Sequence, residues 1–132
     1  MKRISFDYDG TLDRENVFNA AKQCVDAGFE LWIVTSRYTE EEYKKNNLCF
    51  NNHDLFETAN LLGIPNERII FTNNKSKSKF FESSDKEFIA HLDDDIIDLE
   101  DIRDLYDKGK TIIPICVIIE NWDTVLSAII NI

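Results

Sequence analysis

The hexapeptide Asp7-Tyr8-Asp9-Gly10-Thr11-Leu12 sets two carboxylates two residues apart, directly behind the short run Arg3–Phe6. Asp93-Asp94-Asp95 follows a second such run, Phe88–Leu92, with Asp98 a helical turn further on. Between these acids lie Thr35-Ser36-Arg37 and then Thr72-Asn73-Asn74-Lys75, followed by Lys77 and Lys79. Acids, a hydroxyl, a lysine and more acids are the parts that phosphoryl transfer needs. Gathered carboxylates repel one another by on the order of a few kcal/mol unless a cation sits between them. Oxygen donors without His or Cys favour Mg²⁺. One carboxylate can serve as nucleophile and a second as general acid. A hydroxyl and an ammonium can hold the non-bridging phosphoryl oxygens. Gly10 permits a sharp turn, and backbone N–H groups around Tyr8–Thr11 can line an anion pocket.

These residues converge only if the elements carrying them are neighbours. Apolar runs consistent with strands cover Arg3–Phe6, Phe29–Val34, Arg68–Phe71, Phe88–Leu92 and Thr111–Ile119. Between them, Glu15–Ala27 has helical apolar spacing at Val17, Phe18, Ala21 and Val25, with Gly28 to close it. Thr39 and Glu42 form a capping box. Further helices are expected over Asp54–Leu62, Ser76–Ser84, Ile96–Tyr106 and Trp122–Ile130, the last with Val125, Ile129 and Ile130 inward. Five strands alternating with helices predict an α/β fold, a three-layer Rossmann-like sandwich around a five-stranded parallel sheet. Such sheets bind ligands at the carboxyl ends of their strands.

Composition narrows the function. The 132 residues suit a single domain, and 43% are hydrophobic, enough for a core. Lys and Arg number 15 against 25 Asp and Glu, a net charge of −10. That argues against non-specific nucleic-acid binding and against an anionic membrane partner. Cys24, Cys49 and Cys116 are odd in number and far apart, so neither a disulfide framework nor a zinc site is expected, and they read as small core hydrophobes. No apolar run is long enough to cross a bilayer and none forms a signal peptide, so a cytoplasmic location is expected.

Phe6-Asp7-Tyr8-Asp9-Gly10-Thr11-Leu12 resembles the first signature of the haloacid dehalogenase (HAD) superfamily, and the three later clusters resemble its other motifs in order. The resemblance implies a phosphatase in which Asp7 forms an aspartyl-phosphate and Asp9 is the general acid and then base. It implies Mg²⁺ held by Asp7, the backbone carbonyl of Asp9 and an acid of the fourth motif. Asp94 fits best, spaced D-x₃-D from Asp98, with Asp93 in support. Phosphate contacts would come from Thr35, Gly10, Thr11, Arg37 and a lysine. Lys77 suits a helix start best, then Lys75, then Lys79. The intervals Leu12–Thr35 and Arg37–Thr72 leave no room for a cap domain. Among relatives this often goes with a macromolecular phosphorylated substrate or a covering protein partner.

Other residues read as structural. His91 is a satisfied core histidine, His53 an exposed one, and Trp32 and Trp122 are packing residues. Arg37 serves either a substrate anion or a salt bridge, and Ser36 is the substitute for Thr35. Two rival readings stand. One is a non-catalytic binding or regulatory module of the same fold. The other is a phospho-receiver domain, which places its phospho-acceptor on a middle strand, whereas the third strand here ends in Thr72-Asn73.

Overall fold

The computed structural model describes residues 2–131. Short β-rich runs form the strands β1 (Arg3–Phe6), β2 (Glu30–Thr35), β3 (Ile69–Phe71), β4 (Ala90–Asp93) and β5 (Ile113–Cys116). The helices are α1 (Glu15–Asp26), α2 (Glu40–Lys45), α3 (His53–Leu61), α4 (Ser78–Ser83), α5 (Ile96–Arg103) and α6 (Trp122–Ile130). All strand pairs are parallel, in the order β3-β2-β1-β4-β5. β1 is therefore central, with the chain running outward to β3 on one side and then returning to β4 on the other. That reversal is the switch point at which doubly wound sheets bind ligands.

Alternation along the strands sorts the two faces. Ile4, Phe6, Leu31, Ile33, Ala90 and Leu92 pack against α1, α3 and α6 through Val17, Ala21, Cys24, Leu55, Leu126 and Ile129. Trp32 and Val34 face the other way, toward Phe81, Phe88, Ile102 and Leu105. Each fully buried aliphatic or aromatic side chain contributes about 1.5–3 kcal/mol. The segments between strands carry no more than one or two short α-helices each, too little for a separate cap domain among the described residues. No helix of the described residues is long and apolar enough to cross a membrane.

The strands fall where the apolar runs predict, with shifted ends. β2 extends to Thr35 and β4 to Asp93, so these two site residues end strands rather than follow them. β5 is shorter than Thr111–Ile119, because Ile118 and Ile119 turn out into solvent past the last pairing, Asp93 with Cys116. Pro114 is accommodated because β5 is an edge strand. The helix expected over Ile96–Tyr106 ends at Arg103 and continues as a 3₁₀ turn, Asp104–Lys108. The capping box forms, Thr39 Oγ1 accepting from the Glu42 N–H at 3.3 Å.

Four side chains depart from expectation. Val25 and Val125 are exposed, because α1 buries Ala20 and Cys24 instead and α6 buries Leu126. Cys49 is exposed on the segment after α2 and Cys116 is half-buried, so only Cys24 is a core thiol. Burial pushes the Cys24 thiol up to about 12. Iodoacetamide at neutral pH should therefore alkylate Cys49 readily and Cys24 only once the protein unfolds. Peptide mapping with and without denaturant checks this.

Candidate active site

At the carboxyl ends of β1 and β4 the chain delivers two runs of acids side by side. Phe6 pairs with Leu92, so Asp7 emerges next to Asp93, and the Asp7 N–H donates to the Leu92 carbonyl at 2.9 Å. One oxygen from each of Asp7, Asp93 and Asp94 lies within 4.8 Å of the others. Lys77, just before α4, enters this cluster from the facing layer. Its Nζ sits 2.9 Å from Asp7 Oδ1, 2.6 Å from Asp93 Oδ2 and 3.8 Å from Asp98 Oδ2, and the side chain is only 2% exposed. The Lys77 N–H also donates to Asp98 Oδ1 at 3.2 Å, which ties α4 to α5.

The electrostatics are strained. Burial, then the charge of Asp93, pushes Asp7 up to about 8 against the pull of Lys77. Burial would raise Asp93 as well, but hydrogen bonds from His91 and Lys77 and the charge of Lys77 outweigh it and hold that carboxyl below its ordinary range. Burial also raises Asp94 and Asp98. Lys77 stays above its ordinary value because Asp7 and Asp93 overcome the opposing effect of burial. One ammonium is thus shared among several acids.

The three consecutive acids do three different things. Asp93 is fully buried against Lys77, with Oδ1 accepting from the Asp95 N–H at 3.0 Å. Asp94 is half-buried and faces Asp7 and Gly10. Asp95 caps α5, accepting from the N–H groups of Ile97 (2.9 Å) and Asp98 (3.3 Å).

A divalent cation fits this donor set. Asp7 and Asp94 are hard oxygen donors crowded together, raised first by burial and then by the charge of Asp93, and a bound cation would offset both effects. The loop Tyr8–Leu12 keeps the space clear. Gly10 has φ +76°, and a Cβ there would run into the Asp94 carboxylate. Gly10→Ala should cost about 1–3 kcal/mol and weaken divalent-cation binding. Denaturant unfolding with and without Mg²⁺ measures both.

Around the acids the other expected residues divide. Thr11 is buried and its hydroxyl has no partner, while Thr35 is buried with Oγ1 accepting only from the Arg37 N–H at 3.2 Å. Both hydroxyls keep hydrogen-bonding capacity. Ser36 and Lys79 are exposed. Lys75 lies exposed on the turn after β3, outside the cluster, so Lys77 is the lysine that the fold brings to Asp7. Lys77 precedes the helix as its cap residue, which lets its side chain turn inward.

Asp9 points away from the carboxylate cluster. Arg37 holds both its oxygens, Nε and one Nη at 2.8 Å each, and binds Asp54 with its other edge at 2.7 and 2.9 Å. The guanidinium also lies over the Tyr8 ring, 4.9 Å from its centroid. Arg37 is therefore engaged in ion pairs in this structure. Sequence reasoning missed Asp54, which looks like an ordinary helix N-terminal acid, and Asn52, buried behind Arg37 with its amide donating to the Tyr38 carbonyl at 3.0 Å. Neither carries a local signal, since both reach the site from a segment distant in the chain.

His91 is fully buried and satisfied, as expected, and His53 is exposed. Trp32 is buried beside Phe88, and Trp122 packs partly buried against the larger core. No family model matches the chain, and no curated protein matches it.

Proposed function

We propose that this protein is a Mg²⁺-dependent phosphomonoester hydrolase working through an aspartyl-phosphate on Asp7, as the resemblance to HAD phosphatases implies. The observation that carries this reading is the meeting of Asp7, Asp93 and Asp94 within 4.8 Å of one another at the switch point of the sheet, with one buried ammonium, Lys77, on Asp7 and Asp93. Three carboxylates crowded beside one lysine leave surplus negative charge, a cost that a bound cation or a phosphoryl-transfer role would account for.

In the first step a carboxylate oxygen of Asp7 forms a bond to phosphorus while the bond to the ester oxygen breaks. Asp9, protonated, gives its proton to the departing oxygen. In the second step Asp9 takes a proton from water, the water oxygen bonds to phosphorus, and the Asp7–phosphorus bond breaks. Lys77 and the Thr35 hydroxyl are the donors for the phosphoryl oxygens. Mg²⁺ held by Asp7, Asp94 and the Asp9 carbonyl would offset the charge that accumulates on nucleophile and phosphoryl group. Both Asp9 oxygens accept from Arg37, so Asp9 turns to the leaving oxygen only once Arg37 lets go, and Asp54 keeps Arg37 nearby when it does.

The substrate side is open: Asp9 is exposed and no cap is present among the described residues. That favours a phosphate on a large molecule or a covering protein partner. The receiver alternative fits less well. Receivers follow the strand order 2-1-3-4-5, whereas the order here is β3-β2-β1-β4-β5.

The test is release of phosphate from an aryl phosphate. Turnover should require a divalent cation, stop with chelator and return with Mg²⁺. Mg²⁺ should also stabilise the fold, by about 2.7 kcal/mol at a hundredfold excess over its Kd, and Asp94→Asn should remove most of that gain. Turnover indifferent to chelator would overturn the reading.

A further inference from the structure

Behind the acids, on the same face of the sheet, lies a second polar row that phosphoryl transfer does not itself require. Side chains two apart on a strand share a face, so Ser5 lines up with Asp7 on β1 and His91 with Asp93 on β4. Ser5 and His91 are paired in register, and both are fully buried. Ser5 Oγ lies 2.8 Å from His91 Nδ1, and His91 Nε2 lies 2.8 Å from Asp93 Oδ2. Lys77 Nζ meets that same oxygen at 2.6 Å. Phe81 closes the other side of the imidazole, its ring centroid 5.2 Å away.

The hydrogen positions follow from the partners. Asp93 is ionised and only accepts, so the hydrogen on His91 faces it from Nε2. A neutral ring then presents a lone pair at Nδ1. The Ser5 hydroxyl has two acceptors within reach, His91 Nδ1 at 2.8 Å and the Ala90 carbonyl at 3.5 Å. The shorter contact takes the proton.

We infer that His91, its tautomer fixed by Asp93 and its free nitrogen capped by the Ser5 hydroxyl, is a positioning residue that locks Asp93 in place as the anchor for Lys77. Asp93 Oδ2 then accepts from His91 and Lys77 and Oδ1 from the Asp95 N–H, so its carboxylate is occupied by protein donors. Metal ligation falls to Asp7 and Asp94, and the relay Ser5–His91–Asp93–Lys77 sets where the ammonium sits beside Asp7. The assignment of a metal and of turnover rests on the proposed function; the relay itself does not.

Two measurements separate these. Long-range ¹⁵N–¹H spectra of the metal-free wild-type protein report the His91 tautomer directly. The neutral ring with hydrogen on Nε2 is expected, and Ser5→Ala should keep it, because Asp93 still accepts from Nε2. A wild-type ring protonated at Nδ1, alone or together with Nε2, overturns the relay whatever the protein catalyses. The second measurement is the kcat and KM of His91→Gln and His91→Phe on an aryl phosphate, with Mg²⁺ affinity measured by calorimetry. Gln can still donate to Asp93 and should stay within about threefold of wild type in kcat. Phe fills the space without a donor and should lose about 10–100-fold in kcat. Mg²⁺ affinity should fall less than kcat, since Asp93 is not a ligand. A Gln variant as impaired as Phe, or Mg²⁺ affinity falling as steeply as kcat, contradicts the positioning role. If the Phe variant fails to fold, the spectra and the Gln variant still decide. An inactive wild type showing the expected tautomer would sink the phosphatase reading and leave the relay standing.

Discussion

Asp7→Asn should lower kcat on an aryl phosphate by at least about 10³-fold while leaving the metal-free protein more stable than the parent. The two effects have opposite signs for one reason. Asp7 is buried beside Asp93, and its carboxyl is pushed from 3.8 to about 8. A carboxyl raised in the folded state binds more protons folded than unfolded between those values. The stability that this proton supplies is fully present below 3.8 and lost as pH rises toward about 8. Asn does not ionise and escapes the loss. In chelator at neutral pH the variant should therefore gain on the order of a few kcal/mol. Urea unfolding across that pH range, with activity measured on the same samples, checks both. A residue held only for structure would lose stability on substitution and leave chemistry largely intact.

Lys77→Ala should give the largest loss of stability. The ammonium is the cation that Asp7 and Asp93 share in the buried cluster. Removing one partner of a buried pair leaves uncompensated charge and costs about 3–5 kcal/mol. Losing a donor to the phosphoryl oxygens should also cost about 10²–10³ in kcat. Lys77→Met keeps the volume and separates packing from charge. Lys75→Ala and Lys79→Ala remove exposed side chains outside the cluster and should stay within about 0.5 kcal/mol of wild type. Thermal unfolding of the variants gives the ranking, and equal losses at all three lysines would contradict the assignment.

The central frame was legible because its signals are local. Short apolar runs ending in polar residues mark β1, β2 and β4, and they place Asp7, Thr35 and Asp93 within a residue of the strand ends. The choice of Lys77 over Lys75 and Lys79 was legible only in part, from its place at a helix start. Its firm assignment depends on which side chain turns toward β1 once α4 begins, a matter of tertiary packing. The division of labour among Asp93, Asp94 and Asp95 was only half legible. Strand alternation buries Asp93 and the helix start makes Asp95 a cap, but both depend on β4 ending one residue later than its apolar run. Arg37 and Asp54 meet only because α3 packs beside the end of β2, and no spacing in the sequence announces it. Cys49 misleads for the opposite reason: its residue type favours burial, while the segment that carries it lies on the surface.

The most direct test of Asp7 as nucleophile uses the Asp9→Asn variant with nitrophenyl phosphate and Mg²⁺. The good leaving group needs little help from an acid, whereas hydrolysis of the intermediate needs the missing base. Acid quenching after mixing, followed by peptide mass spectrometry, should find one phosphoryl group on Asp7, released by hydroxylamine, in step with a burst of nitrophenol. A burst with no phosphoryl group on Asp7, or one attached elsewhere, would contradict the account.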